Sequence, residues 1–219
     1  MLQGKDGNRV YMDVSLTFIN VMREHIVCLT FKDTTERRNL EQRLVEVAEV
    51  DALTGLFNRR ASNTKLDVAI AHARSGITPL TMISIDIDNF KECNDSEGHQ
   101  AGDRVLKTLG HLIRKNIRSN VDTGFRCGGD EFTIIVDGAK AEVAVKIAER
   151  LRIEYQENVT YGTSLSIGIA EYRHGMTSKE FVRSADDAMY RAKALGKNNL
   201  FVAKRCDEPE SPCEKSFQP

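Results

Sequence analysis

The chain has 219 residues, enough for one ordinary domain with additional segments. Hydrophobic residues make up 41% and charged residues 29%, a globular composition with apolar material for a core. The 31 basic and 32 acidic side chains leave a net charge of -1, which gives no support for bulk electrostatic attraction to nucleic acid or to a membrane surface, though it leaves room for a local basic site.

The five cysteines, Cys28, Cys93, Cys127, Cys206 and Cys213, are odd in number and lack CxxC spacing. They read as free thiols in a reducing compartment. No apolar stretch reaches the ~20 residues of a membrane span. Lys5, Asp6 and Arg9 interrupt any apolar leader region. The expectation is a soluble cytoplasmic protein with no membrane segment in this chain and no nucleic-acid partner.

In chain order, residues 9–19 (RVYMDVSLTFI) alternate Val10, Met12, Val14, Leu16 and Phe18 on one face. Residues 24–33 (EHIVCLTFKD) form a second apolar run, and NVMRE between them reads as a hairpin loop. Two strands alone are marginal in water. The hairpin is therefore expected to pack on another copy, the next domain, or a part of the protein outside this chain. In the helical stretch that follows, Thr34 or Thr35 can cap the start. Leu40, Leu44 and Val47 are spaced four then three, which fits a short coiled-coil seam or a helix lying on its own domain.

A mixed α/β block begins at Asp51. NRRASNTKLDVAIAHARSG reads as a helix ending near Gly76, and LTMISIDI as a strand. NDSEGHQAGD reads as a polar loop leading to an amphipathic helix through Val105, Leu109, Leu112 and Ile113. GFRC and EFTIIV read as strands joined by Gly128-Gly129, a tight turn in which both glycines take φ > 0. A helix follows with Val143, Ile147 and Leu151 inward, then the strand TSLSIGIAEY. The last helix opens with a capping box, Thr177 to Glu180, and stops at Gly196. NLFVA is a short closing strand, and residues 204–219 form a polar tail expected to be disordered.

Two apolar strands end or begin in acids: Asp86 and Asp88 at period two, and Asp130 with Glu131. Carboxylates at the edge of a buried strand cost desolvation unless something positive meets them. Side by side, the two strands bring Asp86 near Asp130 and Glu131. A divalent cation would hold such a cluster together, and Mg²⁺ suits carboxylates plus a backbone carbonyl. The competing reading is surface acids paired with Arg126 or Lys91. Lys91 lies close enough to offer charge to a transition state. Lys193 and Lys197 lie four apart on one face of the last helix, which suits terminal phosphates or an ordinary solvated face. Asn94 and Asp103 offer the donors and acceptors that match a guanine edge. Asn94, Gly98 and Asp103 also fit plain turn and cap roles.

These residues spell a pattern that resembles a known family. Gly128-Gly129-Asp130-Glu131-Phe132 is the signature of GGDEF domains, the diguanylate cyclases. DALTGLFNRR at 51–60, DIDNFKECNDSEGHQAGD at 86–103, SIGIA at 166–170 and ADDAMYRAKALGKN at 185–198 resemble family motifs in the same order. The resemblance spans residues 51–203. It implies an α/β (α+β) fold like a nucleotide-cyclase or polymerase palm, with a mostly antiparallel sheet surrounded by helices. It implies a homodimer in which each domain holds one GTP and each 3′-OH attacks the other's α-phosphate, giving cyclic di-GMP and two pyrophosphates.

By matching motif positions, Asp86, the Ile87 carbonyl and Asp130 would bind Mg²⁺, with Mn²⁺ as an alternative. Glu131 would assist the metal or the 3′-OH proton, and Lys91 would stabilise the transition state. Asn94 and Asp103 would read guanine, with His99 nearby. Backbone N–H groups of Asn89 and Phe90 would meet phosphates, as would Lys193 and Lys197. Gly128 and Gly129 would let the nucleotide approach the backbone closely.

Two departures from the family pattern stand out. The product-inhibition motif Arg-x-x-Asp reads Ser119-Asn120-Val121-Asp122 here, so Ser119 replaces the arginine. Arg118 is one residue off, a turn of about 100° on a helix. Product inhibition through this degenerate site is expected to be weak or absent. Lys197 stands where arginine is commoner and lacks the planar fork.

Residues 1–34 resemble the last two strands of a PAS sensor domain, and 35–50 its exit helix, here expected as a dimeric signalling helix. The PAS core is missing, which implies a fragment of a longer sensor or a shortened product. Besides an active cyclase, a non-catalytic nucleotide-binding regulator and a dimerisation module with an idle cyclase remain alternatives. Intact Asp86, Lys91, Asp130 and Glu131 favour the enzyme.

Overall fold

The computed structural model describes residues 2–3, 9–21, 24–37, 49–75 and 78–203. The chain divides into two compact units, Met1–Glu49 and Val50–Pro219.

In the first unit, β1 (Leu2–Gln3) pairs with β2 (Arg9–Val10), and β3 (Met12–Val21) pairs antiparallel with β4 (Glu24–Asp33). Val14, Leu16 and Phe18 stand opposite Phe31, Leu29 and Val27. Because side chains alternate along each strand, all six share one face. Every one of them is at least half exposed. The other face carries Asp13–Lys32, Ser15–Thr30 and Thr17–Cys28 pairs. The expected hairpin therefore forms, but from Met12 rather than Arg9. The Asp33 carboxylate accepts the Thr35 N–H at 2.8 Å where the helical turn 35–37 begins. The coiled-coil positions Leu40, Leu44 and Val47, the loop residues Met22 and Arg23, and the tail 204–219 lie outside the described residues.

The second unit is a three-layer arrangement around a six-stranded sheet. Its strands are β5 (Phe57–Asn58), β6 (Leu80–Asp88), β7 (Thr123–Arg126), β8 (Glu131–Asp137), β9 (Ser164–Glu171) and β10 (Leu200–Val202). The order is β10-β9-β6-β8-β7-β5. The inner pairings are antiparallel, and the two edges, β10 on β9 and β5 on β7, are parallel. The mostly antiparallel palm-like α+β fold is thus present. β6 lies in the middle and is buried at every position, acids included.

Among the described residues of this unit, five helices surround the sheet: α1 (Arg59–Arg74), α2 (Phe90–Glu97), α3 (His99–Asn116), α4 (Ala141–Asn158) and α5 (Ser178–Ala194). Ile83, Ile85 and Ile87 point to one face, where Val105, Leu109 and Ile113 of α3 and Ile147, Leu151 and Tyr155 of α4 cover them. Met82, Phe125 and Ile135 belong to the other face, under Leu66 and Ile70 of α1 and Phe181 and Ala185 of α5.

Several sequence expectations need correction. Residues 94–103 are not a loop. They close α2 and open α3, with Gly98 (φ 80°) as the joint between the helices. An eight-residue helix is too short to show a period, and packing of Cys93 and Phe90 supplies its support. Val143 is 43% exposed, and Ala144 takes the buried place instead. α5 ends at Ala194, so Lys197 is not on its face but in a left-handed turn with φ 62°. Residues 118–122 are a turn, because α3 ends at Asn116 and Ile117 is extended. Neither Gly128 nor Gly129 is among the positive-φ glycines. Their turn spans four residues instead of two, closed by Cys127 N–H to the Glu131 carbonyl at 2.9 Å and Glu131 N–H to the Gly128 carbonyl at 3.3 Å.

Candidate active site

The antiparallel register of β6 and β8 sets Asp86 directly opposite Glu131. One residue further, the Ile87 N–H donates to the Asp130 carbonyl at 3.3 Å, so the signature turn is fastened to the end of β6. Asp86, Ile87, Asp130 and Glu131 therefore converge, although a long stretch of chain separates the end of one strand at Asp88 from the start of the other at Glu131. Burial pushes the Asp86 carboxyl above its ordinary pKa. Lys193 opposes that shift, and the nearby Asp130 and Asp88 charges add to it. Lys193 reaches Asp86 from α5, Nζ to Oδ1 at 2.7 Å. Arg126, by contrast, pairs with Asp51 and not with these acids.

Asp88 behaves differently from its neighbour two residues back. It is 2% exposed and fully engaged. Ser164 and Ser166 each donate to it at 2.7 Å, and the Asn198 N–H donates at 3.1 Å. It ties β9 and the turn after α5 to β6, which places Lys197. The Lys197 Nζ donates to the Asn89 side chain at 2.6 Å. Asn89 itself is left-handed (φ 59°, ψ 24°), a conformation asparagine tolerates better than most residues. It begins α2, whose first N–H groups have no partner within the helix.

Lys91 is solvent-exposed in the first turn of α2. Asn94, one turn on, packs against Gly102 of α3, where a Cβ would overlap its Oδ1. Asp103 follows Gly102 in the chain and is exposed, as is His99 at the start of α3. The expected guanine readers, Asn94 and Asp103, thus share the α2–α3 corner. Ser119 is exposed, whereas Asp122 is buried and gripped by Arg118.

The donor set at the end of β6 is oxygen-rich: two carboxylates and a carbonyl, with like charges close enough to raise Asp86. That chemistry fits a hard divalent cation. Among the described residues no group of three or more His, Cys, Asp or Glu side chains is placed to hold a metal ion. Sequence reasoning missed the holding role of Asp88, the small residue Gly102 and the Asp51–Arg126 link. The period-two spacing of Asp86 and Asp88 was visible, but not that one is bound to hydroxyls while the other faces Lys193.

Residues 48–199 match the family model described as "Diguanylate cyclase, GGDEF domain". The chain belongs to the GGDEF family. It is 40% identical over 154 residues to the diguanylate cyclase DgcS of Shewanella oneidensis, covering 69% of this chain and 51% of that protein. It is 32% identical over 207 residues to a diguanylate cyclase of Vibrio cholerae, covering 91% of this chain and 64% of that one. Among solved structures, the coiled coil and GGDEF domain of DgcB from Caulobacter crescentus, in complex with c-di-GMP, superposes with a TM-score of 0.71 at 32% identity. That match covers 78% of this chain and 95% of the DgcB chain. The active GGEEF domain of a Vibrio cholerae diguanylate cyclase gives a TM-score of 0.62 at 34% identity, over 68% and 97% of the two chains. This GGDEF chain spans about half the length of DgcS (51%). Among its described residues no helix is long and apolar enough to cross a membrane.

Proposed function

We propose that this chain is a diguanylate cyclase that condenses two GTP into cyclic di-GMP and two pyrophosphates as a cytoplasmic homodimer. The observation that carries the proposal is the register of Asp86 opposite Glu131, with Asp130 fastened to Ile87 and Lys193 reaching the same point. The family match and the named cyclases among its relatives support it.

Asp86, the Ile87 carbonyl and Asp130 would hold Mg²⁺, or Mn²⁺ in its place. When bound, such an ion supplies charge neutralisation on phosphate oxygens. Asn94 and Asp103 read the guanine edge, with His99 at its margin. The N–H groups of Asn89 and Phe90 bind phosphate oxygens, and Lys193 and Lys197 hold the terminal phosphates. Each 3′-oxygen forms a bond to the partner nucleotide's α-phosphorus as the bond to pyrophosphate breaks. Glu131 takes up the hydroxyl proton, and Lys91 stabilises the charge on the phosphoryl oxygens. Two bonds form between two nucleotides, so two loaded domains must face each other.

The segments divide the labour. Residues 51–203 are the cyclase, 35–50 a signalling helix that orients two copies, 1–34 a PAS-like hairpin and 204–219 a tail.

The deciding experiment measures cyclic di-GMP from GTP and Mg²⁺ over a range of protein concentrations, beside Asp130→Ala. Product rising faster than linearly with protein, and lost in the variant by a factor of about 10²–10³ or more, supports the cyclase. GTP binding without product at any concentration replaces it with a non-catalytic regulator.

A further inference from the structure

A cavity of about 320 Å³ lies between α1 and α5 above the sheet. It stands mainly on the face of Met82 and Ser84, with Ile85 and Phe132 also in its lining, whereas α2 and α3 pack on the opposite face over Ile83, Ile85 and Ile87. Of the residues assigned above to nucleotide and metal, only Glu131 lines it. Its volume falls at the small end of the ~300–1,000 Å³ typical of ligand pockets.

The lining has two chemistries. Leu66, Met82, Val182 and Met189 give an apolar slot between the helices. Its charged lining consists of two carboxylates, Asp186 and Glu131, and one guanidinium, Arg59, all three on exposed residues. Ser84 donates to Asp186 Oδ1 at 2.9 Å, and Oδ2 has no further hydrogen bond among the described residues. Burial raises the Asp186 carboxyl, and its neighbour Asp187 adds to the shift, so a positive partner would relieve it.

We infer that this slot binds a small organic cation: a primary amine on a flat apolar body, the ammonium on Asp186 and the ring between Leu66 and Met189. Soft, adaptable methionines on two sides suit a planar ring. A ligand held there rests on the strands that carry Asp86 and Glu131, so it touches the catalytic hairpin from behind.

The test uses the full chain without GTP, so its outcome is independent of the cyclase proposal. Tryptamine, its neutral isostere tryptophol and the anion indole-3-acetate are titrated by calorimetry. Tryptamine is expected to bind saturably with Kd below ~1 mM, at least about tenfold tighter than the other two. Asp186→Asn, which keeps the size and the Ser84 contact but not the charge, is expected to weaken tryptamine about tenfold or more. Val182→Phe, which fills the slot without changing charge, is expected to abolish binding. It serves as the deciding variant if Asp186→Asn unfolds. Absence of tryptamine binding, equal binding of the three probes, or binding that survives Val182→Phe would overturn the inference.

Discussion

Arg126 and Asp51 form an ion pair across 75 residues of chain, with Nη1 at 3.2 and 3.3 Å from the two carboxylate oxygens. The same guanidinium donates to the Gly129 carbonyl at 3.1 and 2.8 Å from Nε and Nη2. A planar fork with fixed donor directions links the start of the GGDEF domain to its signature turn. Burial alone would push the Asp51 carboxyl up. The Thr54 hydroxyl and N–H, with the Arg126 charge, outweigh it and hold the group below its ordinary range. Asp51→Asn is expected to cost about 1–3 kcal/mol, as for lost charge-assisted hydrogen bonds. The sign with pH follows from the lowered pKa. The contribution is complete above the ordinary value of ~3.9 and is lost as pH falls through the lower folded value. Urea unfolding from pH 7 down to pH 3 should therefore show the wild-type advantage over Asp51→Asn shrinking at the acid end.

Arg118 closes on Asp122 with its Nε at 2.9 Å, its Nη2 at 2.6 Å and its backbone N–H at 2.9 Å. The same Nη2 also donates to the Asp137 carbonyl at 2.5 Å. The Asp122 side chain is 0% exposed. Asp122 is thus a buried structural acid that accepts three hydrogen bonds from Arg118, and the exposed Ser119 brings no charge. Cyclic di-GMP at low micromolar concentration is expected to leave the initial rate unchanged. Arg118→Ala would leave a buried carboxylate short of donors and lower stability by about 1–3 kcal/mol, without creating inhibition. Inhibition in wild type that disappears with Asp122→Ala would sink this account.

The central strands and long helices were legible because their signals are local. β6 and β8 are apolar runs of strand length, and α3 repeats Val105, Leu109 and Ile113 at four-residue spacing over a little more than two turns. The acids at the ends of β6 and β8 announced themselves as charges where a core pattern should continue. What stayed hidden depends on partners far along the chain. α2 is too short for a period and is held by Phe90 and Cys93. β5 has two residues, and its place in the sheet comes from distant partners: Phe57 pairs with Phe125 and Asn58 with Arg126. Val143 and Ala144 differ by 100° on α4, and apolar character alone chose the wrong one. The glycine pair suggested a two-residue turn, yet the geometry around Asp130 uses four. The Asp51–Arg126 link joins motifs that are unremarkable one at a time.

Gly102 sets the approach of α3 to α2. A methyl group there would overlap the Asn94 amide oxygen and crowd Phe90. Both residues carry proposed contacts to GTP, one through its side chain and one through its backbone. Gly102→Ala is expected to raise KM for GTP by about tenfold, the ~1.4 kcal/mol of one displaced polar contact. Discrimination against ATP should fall with it. Steady-state rates with both nucleotides check this. An unchanged GTP-to-ATP ratio would mean that Asn94 does not read the base.

Gly129 offers a cleaner substitution. Its φ is not positive, and a Cβ there meets nothing within 4 Å. Gly129→Ala should leave the fold intact, with stability within about 0.5 kcal/mol of wild type, as for exposed positions. If the nucleotide lies against this turn, the added methyl group meets the nucleotide and not the protein. KM for GTP should rise or kcat fall while the melting temperature stays put. Unchanged kinetics would remove Gly129 from the substrate site.

Gly168 is the opposite case. It faces Ser84 across the β6–β9 ladder, and α5 lies directly on it. A Cβ would overlap the Ala185 carbonyl oxygen and the Met189 backbone nitrogen. Both are main-chain atoms, so no side chain can turn away, and α5 must lift from β9. Lys193 sits one turn beyond Met189 on that helix, and its 2.7 Å contact with Asp86 depends on the present spacing. Gly168→Ala is expected to cost about 1–3 kcal/mol, the range for overpacked cores. It should also lower cyclase turnover at temperatures where the variant is fully folded, because the lysine is carried away with the helix. Turnover per folded molecule equal to wild type, despite the lost stability, would show that the helix can shift without moving Lys193 out of reach.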